Sequence, residues 1–332
     1  MKTSLDNLLD RYNSNRELLY VGLVVLWSAC LLYFNPRLLA LLSTATDVFS
    51  AGAVIIFTLC LDFFWLYMLY HVLMITVSCW VRWKHPSQNL VPVETIVPVA
   101  ILYPTRNDFR PVSAMSCLNL DYPDFHVFIL DDSTDKEFRK NIDEWARTHT
   151  DKVTVIRRED KSGYKAGNLN HALETIGKDY PYFAICDADG ILPRDFLTGL
   201  LPFLQDKRVA YVQALQKGNP DQPEFFGQVL NFMIEAHYRY YVEAKNYFGF
   251  VMFYGHGGLL KTSVWQEAGG FPEIASEDLA YSARARALGY RGVYTDTVIC
   301  LEDFPPGLPQ LRKRSEKWIR GTSEFVKKFF WP

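Results

Sequence analysis

Cysteine is scarce in this sequence, and the few cysteines present are not closely paired. Six of them are spread over 332 residues without a Cys-x-x-Cys spacing. Disulfide frameworks and structural zinc sites both depend on close, repeated spacings, so this distribution argues against either. It is typical of thiols that stay reduced or pack in apolar segments.

An excess of charge of one sign is also missing. The chain has 35 basic and 37 acidic residues, which gives a formal net charge of −2. Domains that bind nucleic acid usually carry a basic excess, so no nucleic-acid partner is expected. Hydrophobic residues make up 49% of the chain, which excludes a disordered protein.

Two long apolar stretches are present near the N-terminus, at about residues 18–34 and 53–81. Each is long enough to cross roughly 30 Å of hydrocarbon as a helix. The break between them is expected at residues 35–37 and then at Ser43, Thr44 and Thr46. The first lacks the small-residue cleavage site of a secretory signal peptide. The second contains Asp62, which should face a partner or a wet cavity, and whose role is left open.

Basic residues flank both stretches on their outer sides. They are Lys2, Arg11 and Arg16 before the first stretch, and Arg82, Lys84 and His85 after the second. The positive-inside bias places both flanks in the cytosol. The sequence therefore predicts a multi-pass membrane protein with a cytosolic segment at 1–17, two transmembrane helices within 18–85 and a cytosolic domain at 86–321.

After residue 98 the sequence alternates between β-rich runs and helical segments. The β-rich runs are VAILYPTR, FHVFILDDS, KVTVIRR, YFAICDADG and VAYVQAL, and helices are expected near 136–148, 167–176 and 194–204. This alternation predicts an α/β domain with a mostly parallel, Rossmann-like sheet flanked by helices. Ligands of such domains bind at the carboxyl ends of the strands.

Two of the β-rich runs end in acidic residues. Asp131 and Asp132 follow one run, and Asp187 and Asp189 follow another. Alternate carboxylates at a strand end can face one Mg²⁺ or Mn²⁺, with a diphosphate completing the shell. Each motif alone is equally typical of a turn or a helix cap, but two acidic strand ends in one α/β unit favour a cation site.

A glycine-containing segment, KSGYKAGNLN, lies between the two acidic motifs. It places Lys165 near the start of a predicted helix, where an ammonium group and unpaired N–H groups suit a phosphate. The GxxxxGK[ST] spacing of a Walker A loop is absent.

A third acidic group, at residues 276–278, precedes an amphipathic helix. Acidic residues at a helix start can simply stabilise its dipole. Alternatively, Asp278 could be a general base for an acceptor hydroxyl, because an alcohol is a poor nucleophile at neutral pH.

The segment LRKRSEKWIRG is strongly basic around Trp318. Its cations could hold a leaving diphosphate or the head groups of membrane lipids. Residues 322–332 combine aromatic, basic and apolar side chains, which is typical of an interfacial segment.

Together, the ordered motifs LDDS, KAGNLN, DAD, VQ, FYGHGG, SED and the basic Trp segment resemble those of family 2 glycosyltransferases. The resemblance covers about residues 98–321 and is strongest to the processive, membrane-integrated enzymes similar to cellulose synthase and hyaluronan synthase. It implies a GT-A fold and metal-dependent, inverting transfer from a nucleoside diphosphate sugar, with a UDP-sugar favoured.

The resemblance also implies roles for individual residues. Asp187 and Asp189 would hold the metal, and Asp278 would be the catalytic base. The donor-binding residues would be Asp131, Asp132, Lys165, Asp187, Gln213, Arg314, Lys317 and Trp318. The acceptor-binding residues would be Tyr254, Gly255, His256, Glu277 and Trp318.

Four positions differ from the motifs of that family, one of them mildly, since Ser276 stands at the first position of the TED motif. Arg314 replaces the glutamine of the QxxRW motif, Lys317 replaces its arginine, and His256 replaces a cysteine of the acceptor loop. Either a different acceptor or a different packing arrangement would account for His256.

The expected activity is the addition of sugars to a growing β-linked glycan at the cytosolic membrane face. Processive relatives have further membrane helices after the Trp motif, so a truncated chain, membrane partner subunits, a homo-oligomer or a non-extruding enzyme remain open. Two other functions are also open. One is transfer of a single sugar to a lipid-linked acceptor such as polyprenyl phosphate, and the other is an inactive glycosyltransferase-like subunit.

Overall fold

A computed structural model describes residues 18–84, 93, 95–249 and 251–330. Two long helices come first, α1 (Leu18–Ala40) and α2 (Val48–Lys84), joined by a 3₁₀ turn at Leu41–Thr44. Both are long and apolar enough to cross a membrane, and only 11% and 6% of their most apolar windows are buried within the chain. The predicted cytosolic segment 1–17 and His85 lie outside the described residues.

The later part of the predicted break, at Ser43, Thr44 and Thr46, falls where the chain turns between α1 and α2, whereas the first part, at residues 35–37, is wrong, because α1 continues through Pro36. A proline removes one helical hydrogen bond, whereas ending the helix there would leave several backbone groups unpaired beside apolar surface. Asn35 donates to Asp62 Oδ2 at 3.1 Å, and Trp27 Nε1 donates to the Asp62 carbonyl oxygen at 2.9 Å. Asp62 therefore links the two helices.

The other described residues form an α/β domain with eight strands. The strands are β1 (Val99–Thr105), β2 (Phe125–Asp131), β3 (Val153–Ile156), β4 (Tyr182–Ile185), β5 (Gly190–Ile191), β6 (Val209–Gly218), β7 (Gly258–Lys261) and β8 (Arg291–Glu302). The helices are α3 (Pro111–Leu118), α4 (Lys136–Arg147), α5 (Tyr164–Ile176), α6 (Phe196–Leu200), α7 (Phe225–Ala236), α8 (Glu243–Tyr247), α9 (Thr262–Glu267), α10 (Glu277–Ala287) and α11 (Leu308–Phe330). The helices predicted near 136–148, 167–176 and 194–204 are confirmed.

The eight strands form one mixed sheet in the order β3-β2-β1-β4-β7-β6-β8-β5. β7 is antiparallel to β4 and β6, and β5 is antiparallel to β8, so the remaining six strands share one direction. The predicted α/β class with a mostly parallel sheet is confirmed. The reversed strand β7 was not predicted, because its apolar residues are too few to show a period.

Both faces of the sheet are covered, as β1 shows. Val99, Ile101 and Tyr103 pack into one apolar layer, and Ala100 and Leu102 pack into the other. Side chains alternate between faces along a strand, so a strand covered on both sides needs an unbroken apolar run. The acidic residues that end these runs therefore lie at the edge of the core.

A π-helical turn at His237–Val242 joins α7 to α8 and contacts the second apolar helix. Ser78 of α2 donates to the Arg239 carbonyl oxygen at 2.8 Å, and Met74 of α2 is buried beside Ala244. On α7, large apolar side chains at one helical face are exposed, namely Phe225, Val229, Phe232 and Met233. This apolar stripe therefore lies on the helix that leads into the π-helical turn contacting α2.

Helix α11 runs unbroken across the predicted boundary at residue 321. Gly321 lies against Ser276, where a Cβ would be 2.2 Å from Ser276 Oγ. Phe325 is buried with Ile274 and Ala280. The basic Trp segment and most of the predicted interfacial segment are therefore one helix, packed beside the start of α10.

Candidate active site

Two adjoining cavities lie at the carboxyl ends of β1, β2 and β4. The larger has a volume of about 1310 Å³ and the smaller about 440 Å³. Both are lined by Lys165, Asp187, Asp189, Glu277 and Lys317. Other predicted site residues that line one or the other are Asp132, Tyr254, Gly255, His256, Asp278, Arg314 and Trp318.

Lys165, in the first turn of α5, is the central cation of this site. Its Nζ lies 2.6 Å from Asp187 Oδ1 and 3.9 Å from Glu277 Oε1, and it donates to the Gly255 carbonyl oxygen at 2.9 Å. Burial disfavours the ammonium form, but Asp187 and then Glu277 outweigh this effect and raise the pKa of Lys165. Lys165 is therefore charged at neutral pH.

Asp187 and Asp189 follow β4 and differ in their electrostatics. Burial opposes the charged form of Asp187, but Lys165 and then His256 lower its pKa. Burial, and then the charges of Glu302 and Asp187, raise the pKa of Asp189 to about 6. Asp189 thus lies in an excess of negative charge, which a bound cation would relieve.

The two carboxylates fit a cation that takes part of its shell from a ligand. Among the described residues, no three His, Cys, Asp or Glu side chains come together as a metal-binding group. Mg²⁺ commonly uses one or two carboxylates and takes the rest of its shell from phosphate oxygens and water. Asp187 and Asp189 are the residues that would hold it.

Glu277 and Asp278 begin α10 on the opposite wall of the larger cavity. Burial raises the pKa of Glu277 to about 7, with Lys165 opposing this and Asp278 adding to it. Burial also raises the pKa of Asp278, whose Oδ1 accepts a hydrogen bond from Leu279 N at 2.8 Å. Both are better proton acceptors than ordinary surface carboxylates once ionised.

Gly255 fits between the two walls of the site. Its φ is +88°, and a Cβ there would lie 3.4 Å from Asp278 Oδ2 and 3.7 Å from Lys165 Nζ. Glycine adopts this φ without the strain that other residues incur. The acceptor loop, residues 253–258, can therefore pass close to both charged groups.

Gln213, predicted to contact the donor, lies beneath the acceptor loop and does not line either cavity. It is fully buried on β6. Its Oε1 accepts from Tyr254 N at 3.0 Å, and its Nε2 donates to the His256 carbonyl oxygen at 3.0 Å. In the structure Gln213 therefore braces the loop that carries Tyr254 and His256.

Asp131 and Asp132 are both paired with arginines that follow β3. Asp131 has no exposed side-chain surface and accepts from Arg157 Nε at 2.6 Å. Asp132 accepts two bonds from Arg158, at 3.0 and 2.7 Å, and still lines the smaller cavity. The structure brings Asp132 to the site but not Asp131, whose contact with a nucleoside stays a prediction.

Helix α11 supplies a basic wall. Lys317 lines both cavities, and the guanidinium of Arg314 lies 4.9 Å from the ring centroid of Trp318. Arg314 also donates to Glu302, the last residue of β8. This basic wall faces the carboxylates of Asp187 and Asp189. An anionic group bound between the wall and these carboxylates would be attracted by the wall and repelled by the carboxylates. It would meet positive charge on both sides only if a cation were bound to the carboxylates.

Glu302 was not among the predicted site residues, yet it is buried at 3% exposure and bonded by two of them, His256 and Arg314. The signal was available, because TVICLED is an apolar run that ends in acidic residues, like the runs before Asp131 and Asp187. Arg157 and Arg158 were also missed, and the sequence offered no signal for their partners.

The sequence model of a family described as "Glycosyltransferase like family 2" matches residues 113–321. A probable glucomannan 4-beta-mannosyltransferase 6 of Oryza sativa subsp. japonica is 31% identical over 62% of this chain and 37% of its own length. A probable glucomannan 4-beta-mannosyltransferase 15 of Arabidopsis thaliana is 27% identical over 73% of this chain and 46% of its own length. The chain therefore spans less than half the length of these relatives.

Among solved structures, a mannosyltransferase from Pyrobaculum calidifontis in complex with GDP-Man and Mn²⁺ is similar in fold. It superposes with a TM-score of 0.58 at 20% identity, covering 76% of this chain and 73% of its own. Family match, relatives and fold agree with the resemblance drawn from the motifs. The chain belongs to glycosyltransferase family 2 and has the GT-A fold.

Proposed function

We propose that the protein is a membrane-bound, metal-dependent inverting hexosyltransferase that adds a sugar from a nucleoside diphosphate donor to a growing β-linked glycan. One observation carries this proposal: Asp187, Asp189, Lys165 and Asp278 line a single cavity. The first two suit a cation, Lys165 suits phosphate, and Asp278 suits an acceptor hydroxyl.

GDP-mannose is the donor that we favour. The motif resemblance alone indicated a UDP-sugar. The relatives are described as probable mannosyltransferases, and the structure of similar fold was solved with GDP-Man and Mn²⁺. The acceptor would then be a β-linked, mannose-containing glycan.

The residues divide the reaction between two walls of the cavity. Lys165, Arg314 and Lys317 bind the diphosphate, and Asp187 and Asp189 would hold Mg²⁺ or Mn²⁺, which would neutralise charge on the leaving group. Asp278 accepts the proton of the acceptor hydroxyl as its oxygen bonds to the anomeric carbon. The bond from that carbon to the diphosphate breaks on the opposite face, so the nucleoside diphosphate leaves and the configuration inverts.

Membrane association supports a glycan or lipid-linked acceptor. α1 and α2 are largely unburied apolar helices, and α7, which carries an exposed apolar stripe, leads into the π-helical turn that contacts α2. Arg82 and Lys84 end α2, so the positive-inside bias favours a cytosolic catalytic domain. Membrane partner subunits and a homo-oligomer stay predictions.

A donor panel tests the proposal. The full chain in lipid nanodiscs would be incubated with GDP-mannose, UDP-glucose and UDP-N-acetylglucosamine, with and without Mn²⁺, and nucleoside diphosphate release measured. We expect Mn²⁺-dependent release that Asp189→Asn abolishes. Product retained as polymer supports glycan elongation, whereas product extracted into organic solvent supports a polyprenyl phosphate acceptor. No release with any donor and metal would contradict an enzymatic function and favour an inactive subunit.

A further inference from the structure

Two of the four departures from the family motifs meet at one side chain. His256 replaces a cysteine and Arg314 replaces a glutamine, and they are far apart in the sequence. In the structure His256 Nε2 lies 3.2 Å from Glu302 Oε2, and Arg314 Nη2 donates to Glu302 Oε1. Both carboxylate oxygens of Glu302 are therefore used by residues that differ from the motifs.

We infer that Glu302 is a positioning residue that joins the acceptor loop to α11, and that His256, Glu302 and Arg314 act as one unit. We call these three residues the charged triad. The inference deepens the proposed function and rests on it in one respect, namely that Arg314 contacts the leaving diphosphate.

The burial of Glu302 explains why both of its carboxylate oxygens have polar partners. Its side chain is only 4% exposed, and that of His256 is 11% exposed. A buried carboxylate is strongly unfavourable unless cations or hydrogen-bond donors surround it. Cysteine is a weak donor and glutamine a neutral one, so neither would supply the positive charge that His256 and Arg314 bring to Glu302.

The backbone fixes Glu302 relative to the proposed metal carboxylates. Glu302 pairs with Gly190 in the β5–β8 ladder, and Asp303 N donates to the Asp189 carbonyl oxygen at 3.0 Å. Through Glu302, the position of Arg314 is therefore fixed relative to the strand end that carries Asp189. Glu302 and the Trp318 ring together set the plane of the guanidinium, whose other N–H groups can face the cavity that Arg314 lines.

The test is a double-mutant cycle in full-length protein in nanodiscs, with donor KM and kcat as readouts. Glu302→Gln keeps the shape but removes the charge that orients Arg314. We expect donor kcat/KM to fall about 10- to 100-fold, mainly through KM, as for other groups that orient a binding residue. In an Arg314→Gln background the same change should have little further effect on KM.

Asp206→Asn is the matched control for loss of a partly buried, ion-paired carboxylate whose side chain is 10% exposed. Asp206 lies at the opposite, amino-terminal end of β6, where Arg291 Nη2 is 3.1 Å from it. This variant should lower the melting temperature without changing donor KM. An equal rise in KM from Glu302→Gln in both backgrounds would overturn the inference, as would a melting-temperature drop like that of Asp206→Asn with unchanged KM.

The melting temperature separates failure of the inference from failure of the proposed function. If the wild type turns over no donor, the proposed function is wrong, but the triad can still be tested without turnover. Glu302→Gln, His256→Gln and their combination should then shift the melting temperature non-additively, because Glu302→Gln alone leaves the His256 cation without its partner and the double variant removes that cost. Additive shifts would contradict the triad.

Discussion

Lys165 Nζ lies 2.6 Å from Asp187 Oδ1 and also donates to the carbonyl oxygen of Gly255. One ammonium group therefore connects the predicted metal ligand with the acceptor loop. Because Glu277 is also within 3.9 Å of it, Lys165 balances carboxylates from two walls of the cavity.

Lys165→Gln should lower nucleoside diphosphate release by roughly 100-fold, since truncating one partner of a buried charge pair leaves the other uncompensated. Kinetics with saturating donor and metal check this. Lys178→Gln, a change in a lysine that lines neither cavity, is the control and should leave turnover unchanged. Equal activity of the two variants would exclude the central role of Lys165.

Asp187→Asn and Asp189→Asn should each lower release at least about 100-fold, because each removes a negative ligand from the proposed cation. A chelator should inactivate the wild type to a similar level and add little to either variant. Isothermal titration of Mn²⁺ in the presence of GDP gives a second measurement. Metal binding that survives both substitutions would show that the cation lies elsewhere.

Asp278→Asn should lower kcat by about 10²- to 10⁴-fold with little change in donor KM, as expected for loss of a general base. Because burial raises the pKa of Asp278, wild-type activity should fall with decreasing pH at values above those of an ordinary aspartate. The pH profile of kcat/KM tests this. A small effect of Asp278→Asn would instead indicate an anionic acceptor that needs no base.

Gly255→Ala and Gly289→Ala form a matched pair. Both glycines have positive φ, +88° and +90°, but a Cβ at Gly289 would meet nothing within 4 Å. Each change should cost about 1–2 kcal/mol of stability through backbone strain. Only Gly255→Ala should also lower kcat, since its methyl group would lie 3.4 Å from Asp278 Oδ2. Melting curves and kinetics together separate the two effects.

Glu243 provides a test of stability against pH. Burial and then Asp296 raise its pKa to about 7, with Arg82 opposing. Its folded state binds a proton more tightly than its unfolded state, so its contribution favours folding below the unfolded pKa of 4.5 and is lost as pH rises towards 7. Glu243→Gln should therefore raise the melting temperature more at pH 8 than at pH 5. An equal shift at both values would contradict this.

The sequence predicted the elements that depend on local pattern. Unbroken apolar runs located β1, β2 and β4, and the acidic residues after β2 and β4 marked the edge where the cavities lie. The reversed strand β7 could not be predicted, because its place between β4 and β6 depends on pairing between distant segments. The arginines that bind Asp131 and Asp132 could not be predicted for the same reason. The segment after β3 comes close to the end of β2 only in the folded sheet.

The site residues show the same limit. Motif order placed Asp187, Asp189 and Asp278 in one cavity, but it could not show that Gln213 points beneath the acceptor loop. Motif order also could not connect His256 with Arg314, because their common partner, Glu302, belongs to none of the recognised motifs. The roles of residues that lie outside the family motifs are therefore the ones for which the three-dimensional structure adds the most information.

The π-helical turn at His237–Val242 sets the rotational phase between α7 and α8. Each residue of an α-helix advances about 100° around the axis, and a π turn accommodates one residue more than an α turn. Deleting a single residue from the π-helical turn would rotate Phe225 and Phe232 about the helix axis, by about a quarter of a turn, relative to the contact with α2. The apolar stripe of α7 and the cavity-lining ring of Tyr238 would then no longer keep their present orientation relative to each other.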